Sequence, residues 1–200
     1  EMHRDLSRNG FERKSWEVLL CLKIRHRILM SSILSNLDNE VLPDVLDFNL
    51  RIVFCGSAPS PKSAAEVAYY AGPGNRFWDV LWESGIIPEK LAPSEFSSIK
   101  KYRVGLTDLA KSVSGVDADV ANACYDVVSL REKILTYKPH WFAFNGKRPA
   151  ENFFQRRVVY GLQKETMMKT RLYVLPSTSG AARRFWDENY WHELAEKLTV

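Results

Sequence analysis

The chain has 200 residues, 46% of them hydrophobic and 26% charged, with a formal net charge of +4. Those figures describe one globular domain large enough to bury a core without metals or disulfides, and they exclude a disordered, fibrous or repeat-rich protein. A mildly basic balance permits a nucleic-acid partner without requiring one.

Residues 1–44 differ from the remainder and are read as an amino-terminal extension, with residues 45–200 as the domain. The opening EMHRDLSRNGFERK is polar and is read as vector-derived or mobile. Trp16, Leu20, Ile24 and Ile28 then recur every four residues among Lys23, Arg25 and Arg27. That spacing predicts a short basic amphipathic helix, packed on the domain's flank or reaching toward DNA, ahead of a possible start at Met30. Val18 to Leu22 is too short for a membrane span or a secretory core, so no membrane partner is expected. The three cysteines, Cys21, Cys55 and Cys124, have no disulfide spacing, which predicts a reducing intracellular compartment, cytoplasmic or nucleoid. The four histidines, His3, His26, His140 and His192, are scattered, and neither a metal nor another cofactor is expected.

Leu42 to Asn49 reads as a lead-in loop. Ile52 to Cys55 is an apolar, β-branched run of the length of a strand buried on both faces, stopped by Gly56. A small-residue loop follows to Asn75, and Phe77, Trp78, Leu81 and Trp82 then return at helical spacing in a helix from Arg76 to Gly85. A second helix is predicted from Ser94, capped by its hydroxyl, to Lys101. In KKYRVGLTDLAK, Asp108 stands among Tyr102, Val104, Leu106 and Leu109, a lone acid in an apolar strand or loop. Ser129 and Glu132 form a capping box opening a helix to Tyr137, ended by Pro139. His140 to Asn145 predicts a further strand, Gly146 the turn into a helix from Pro149 to about Gln155, and Lys164 to Thr170 a polar connection. Arg171 to Leu175 is another strand, ending in Pro176-Ser177-Thr178-Ser179-Gly180, and one long helix is predicted from Ala181 to Leu198.

Strands alternating with helices predict an α/β fold, a three-layer sandwich with a central mostly parallel sheet flanked by helices and joined by right-handed crossovers. Open sheets of this kind bind ligands at the carboxyl ends of their strands, which brings loops 56–75 and 176–183 to one edge. An α/β hydrolase is disfavoured, because no G-x-S-x-G elbow is present.

Gly56-Ser57-Ala58-Pro59-Ser60, Gly72-Pro73-Gly74-Asn75-Arg76-Phe77-Trp78, Tyr102 to Thr107 and Leu175 to Gly180 together resemble the mismatch-specific uracil/thymine-DNA glycosylases of the uracil-DNA glycosylase superfamily, over about Val41 to Lys197. The resemblance implies a monomeric, cofactor-free enzyme acting on DNA that contains a damaged base, by base flipping and water attack on the N-glycosidic bond. Carried over, Ser57 and Ala58, with Pro59 beside them, present backbone groups to a pyrimidine edge. Tyr70 stacks on its face, and Ser63 approaches a flanking phosphate. Lys62 contacts phosphate, as do Ser177, Thr178 and Ser179. Gly180, Ala181 and Ala182 fill the emptied stack, and Arg183 holds the backbone.

One departure matters. The family's first motif carries an asparagine that positions the attacking water, and here that place is Ala58, whose side chain neither donates nor accepts. Two residues are candidates for the missing role: Asn75, through its amide oxygen, and Asp108, as a carboxylate that also stabilises positive charge developing on the sugar. The expected activity is excision of uracil. The alternatives are another deaminated base, hypoxanthine or xanthine, or a lesion-binding protein without catalysis.

Overall fold

Five short strands form a sheet whose order, β2-β1-β3-β5-β4, puts the earliest strand near its centre. In this computed structural model, which describes residues 40–115, 121 and 124–199, the strands are β1 Ile52–Gly56, β2 Val104–Asp108, β3 Trp141–Asn145, β4 Gly161–Met167 and β5 Thr170–Leu175. β1 pairs in parallel with β2 and β3, and β3 in parallel with β5. β4 runs antiparallel to β5 at the edge. The described residues belong to one unit, Glu40–Val200. The amphipathic helix predicted around Trp16 to Ile28, with Cys21, His3 and His26, lies outside the described residues, and the extension remains an expectation.

Helices cover both faces because the strands are apolar on both. Ile52, Phe54, Trp141, Ala143, Tyr173 and Leu175 point into one core, filled from α2 (Phe77–Glu83) and α5 (Asn189–Leu198) by Phe77, Leu81, Trp191 and Leu194. Val53, Cys55, Phe142, Phe144, Leu172 and Val174 point into the other, where α3 (Val127–Tyr137) and α4 (Lys147–Phe154) supply Leu130, Ile134, Ala150 and Phe153. Phe54 stacks on Trp191 at 5.6 Å between centroids, which ties the central strand to the last helix.

Several boundaries differ from those predicted. A six-residue helix α1, Pro61–Glu66, interrupts the first loop, with Ser60 as N-cap and Pro61 in its first turn; six residues are too few for a helical period to register. The helix predicted from Ser94 is a 3₁₀ helix, Pro93–Tyr102, whose start is held by Glu95 accepting the Ala92 N–H at 2.8 Å. α3 begins at Val127 because Asp126, not Ser129, is the cap, accepting the Ser129 N–H at 2.8 Å. The stretch from Lys164, predicted as a connection, falls in β4 and its hairpin with β5. The buried positions of this edge strand are Gly161 and Gln163 while Leu162 is exposed, so no apolar alternation marks it in the sequence. The long terminal helix is two elements, a 3₁₀ helix Gly180–Phe185 and α5, separated where Trp186 adopts extended backbone (φ −65°, ψ 127°).

The lead-in segment covers the other edge. Val45 and Leu106 exchange two backbone hydrogen bonds of 2.9 Å, and this approach requires Gly105: a Cβ there would lie 2.7 Å from the Val45 carbonyl oxygen and 2.7 Å from Leu50 Cδ1. Gly105→Ala is therefore expected to destabilise the protein by about 1–3 kcal/mol through overpacking. Urea unfolding measures it, and an unchanged midpoint would contradict the placement of the lead-in segment.

Candidate active site

Parallel pairing in register sets Gly56, the last residue of β1, opposite Asp108, the last residue of β2. The pairing continues past the strand ends. Leu109 N–H donates to Gly56 O at 2.9 Å and Ala110 N–H to Ser57 O at 2.8 Å, so the two loops leave the sheet side by side. The Asp108 side chain occupies the space that a side chain at residue 56 would need, since a Cβ on Gly56 would fall well inside contact distance of Asp108 Oδ1. Asp108 is only 4% exposed and its Oδ2 has no hydrogen-bond partner. Burial pushes its carboxyl up to about 7, opposed by the Lys111 and Lys133 charges and the Tyr69 hydroxyl, and reinforced by the Asp44 charge. A carboxyl so placed exchanges its proton near neutral pH, which suits a general base or a charge held for a cationic transition state.

Tyr70 closes the site beside it. Its backbone is left-handed (φ 58°), a strained conformation for an aromatic residue. One ring face packs on Phe77 at 3.8 Å between centroids and 24° between planes, and the Tyr69 ring lies 6.0 Å away. Its hydroxyl is buried, lies 3.4 Å from the Cβ position of residue 56, and has no partner. Burial, then the Asp108 charge, raise this phenol well above its ordinary range, while the Asn145 amide pulls the other way. Two buried polar atoms without partners at one strand edge, Asp108 Oδ2 and Tyr70 Oη, mark a place built for a ligand or a reacting water.

The final loop is fastened from beneath. Asn145, at the end of β3 and 7% exposed, donates from Nδ2 to Thr178 Oγ1 at 2.8 Å and accepts the Thr178 N–H on Oδ1 at 3.0 Å. Thr178 O accepts the Arg76 N–H at 3.0 Å, so three loops meet at one buried threonine. Gly180 passes over the first loop where a Cβ would lie 2.9 Å from Pro73 O, and Arg183 Nη2 sits 2.5 Å from the Cβ position of Gly74. The loops containing the GPGNRFW and PSTSG motifs are thus one rim.

The residues singled out in the sequence divide between floor and rim. Ser57 is buried, Ala58 half-buried against the second core, and Pro59 buried with its carbonyl accepting the Gly115 N–H at 2.9 Å. Ser63, expected to face a phosphate, is turned inward: its hydroxyl receives the Ser60 hydroxyl at 3.0 Å and the Ala71 N–H at 3.1 Å, bracing the loop. Lys62 is exposed and paired with Glu66 at 2.6 Å. Thr178 is interior, whereas Ser179, Ala181 and Arg183 are exposed, with Ser177, Gly180 and Ala182 partly so. Asn75 accepts the Phe77 N–H on Oδ1 at 3.0 Å, which spends that oxygen on starting α2. It lines, with Tyr70, Trp78 and Leu91, a cavity of about 510 Å³, and Asp108 is not among the lining residues. Tyr70 is common to both places.

The sequence alone assigns no site role to Asn145, Asp44 or Lys111, and it marks Tyr69 only as a core or rim aromatic. An asparagine ending the apolar run HWFAFN is the same kind of signal as Asp108 and could have been marked. The other three come together only through the fold. Among the described residues, no three His, Cys, Asp or Glu side chains are grouped to hold a metal ion, and no helix is long and apolar enough to cross a membrane.

The family described as the uracil DNA glycosylase superfamily matches residues 43–198. A solution NMR structure of a protein from Methanosarcina acetivorans, provisionally named a uracil DNA glycosylase, is similar at 30% identity and a TM-score of 0.58, over 80% of this chain and 97% of that one.

Because the folded state raises the Asp108 pKa, it disfavours the carboxylate relative to the unfolded chain. The stabilising effect of the neutral acid is complete below about pH 4 and is lost as pH rises toward about 7. Asp108→Asn is accordingly expected to be more stable than the parent, by a margin that widens between about pH 4 and 7 and levels off at about 2–4 kcal/mol. Denaturant unfolding across that range tests it; a constant margin would mean that Asp108 is charged at no stability cost.

Proposed function

The chain belongs to the uracil DNA glycosylase superfamily and acts on DNA as a glycosylase, and on that footing we propose that it is a monofunctional, monomeric enzyme that excises uracil, mispaired or single-stranded, in base-excision repair within a reducing compartment. The target nucleotide leaves the stack, because its glycosidic bond is inaccessible within the duplex; the cost is roughly a few kcal/mol and least for a mispaired base. Backbone groups of Ser57 and Ala58 meet the base edge and Tyr70 stacks on it. Ser179 to Arg183, exposed or partly exposed on the rim, meet the duplex. The water attacks the anomeric carbon as the bond to the base breaks, the bonding electrons leaving with the base and the water's proton passing to Asp108. The carboxylate also faces the positive charge spread over the sugar. The products are the free base and an abasic site.

The observation that carries this reading is the buried Asp108 Oδ2 with nothing bonded to it, beside the motif whose usual water-holding side chain is here Ala58. Asn75 is the weaker candidate, since its amide oxygen is already engaged by the Phe77 N–H.

Labelled duplexes carrying one uracil, hypoxanthine or xanthine, treated with protein and then alkali, read out abasic sites. Uracil is expected to be released, with single-turnover rates rising as pH climbs through about 7, where Asp108 ionises. Asp108→Asn should cost about 10²-fold or more. Asn75→Ala should mainly remove the hydrogen bond from the Phe77 N–H at the start of α2, about 1 kcal/mol of stability. The reverse ranking would transfer the water to Asn75. Release of hypoxanthine or xanthine alone would change the substrate, and salt-sensitive binding with no release of any base would make the protein a lesion reader.

A further inference from the structure

Next to Asp108 lies a set of buried charges that the reaction as written does not use. Asp44, in the lead-in segment, takes Lys111 Nζ on Oδ1 at 2.8 Å and Lys133 Nζ on Oδ2 at 2.6 Å, and Thr107 Oγ1 donates to its Oδ1 at 2.7 Å. Glu40 lies 3.6 Å from Lys111 Nζ and 3.8 Å from Lys133 Nζ. The Lys111 and Asp44 side chains are only 12% and 16% exposed. Burying such a cluster costs several kcal/mol per ion before pairing offsets it, and apolar residues of similar size often serve stability as well or better. A role beyond stability is the economical explanation.

Hydrogen-bond stereochemistry supplies one. An ammonium has three donors and no acceptor. Lys111 directs them at Asp44 Oδ1, at Leu42 O at 2.5 Å, and at Tyr69 Oη at 3.3 Å. A phenol that accepts from a lysine must turn its own proton elsewhere, and the Tyr69 hydroxyl acts on the Asp108 carboxyl in the sense that favours the carboxylate. Tyr69 is 1% exposed, and Trp78 Nε1–H bonds its backbone carbonyl at 2.9 Å, so the ring has one place to be.

We propose that Lys111 and Tyr69 are positioning residues for Asp108: the buried ammonium fixes the phenol as a donor, and the phenol holds the carboxylate with Oδ2 left open for the reacting water. The proposal rests on the reading of Asp108 given above. The groups that act on the carboxyl are the cations Lys111 and Lys133, the anion Asp44, and the neutral Tyr69, Tyr70 and Cys55, with Glu40 reaching it through the lysines. Of these, Lys111 opposes the effect of burial most strongly and is coupled in return to Asp108.

The test is the titration of the Asp108 side-chain carbon by NMR in DNA-free protein, beside the pH dependence of single-turnover excision, in the parent, Tyr69→Phe, Lys111→Met and Lys111→Arg. Tyr69→Phe keeps the core ring and loses only the hydroxyl. Lys111→Met leaves Asp44 its bonds to Lys133 and Thr107, and should it fail to fold, Tyr69→Phe decides alone. Both are expected to bind the Asp108 proton about tenfold more tightly, moving the acid limb of excision upward by about one pH unit, with DNA affinity unchanged and Lys111→Arg restoring much of the shift. Titration of Asp108 in Tyr69→Phe at the parent's pH would overturn the proposal, whatever the excision rates. A shifted titration in a protein whose parent releases no base would uphold the relay and remove the glycosylase reading instead.

Discussion

The site depends on one close approach, that of the Asp108 carboxyl to the bare α-carbon of Gly56 across two paired strand ends. The parallel register brings the residues level, and the absence of a side chain at 56 leaves room for the acid to lie inward. Water is thereby excluded from a group that prefers it, and the folded protein bears the cost of holding a carboxyl there. Such a cost is usual where function, and not stability, has chosen the residue.

Rigid parts surround that acid. A chain of rings runs from the central strand and last helix to the site: Phe54 and Trp191 each meet Phe77 edge-on, at 5.4 and 6.1 Å, and Phe77 carries Tyr70 on its face. Asn145 and Thr178, both buried, fasten the opposite loop with two hydrogen bonds. The parts that would meet a duplex are exposed and the parts that would hold the base are locked, a division that keeps reacting groups aligned while the rim adapts.

How much of this was legible in the chain follows from how local each feature is. Ile52 to Cys55, Trp141 to Phe144 and Leu172 to Leu175 are apolar at every position because both sheet faces are covered, and they stand out in any window. β4 does not, since an edge strand is half polar and its pairing partner is named only by the hairpin. The break at Trp186 escaped notice because the apolar residues on either side keep helical spacing; what stops the helix is a stacking contact of Trp186 with Trp191 and with the Arg76 guanidinium, 4.7 Å from its ring. Asp108 was conspicuous as a lone acid among apolar neighbours, whereas Lys111, Asp44 and Tyr69 each look ordinary and acquire meaning only when distant segments are laid together. Ser63 was placed beside a phosphate by the family resemblance alone, and here its hydroxyl braces the loop's interior.

The buried ion cluster also bears on how the protein is made. Its acids, Glu40 and Asp44, precede the first strand, while Lys111 follows the second strand and Lys133 lies within α3. On a ribosome the acids emerge long before either lysine, and until then they can only stay solvated, because no partner exists to offset their burial. The lead-in segment therefore cannot settle against β2 ahead of time. The last charge to arrive, on α3, completes the cluster, so the edge of the sheet and the setting of Asp108 are finished together.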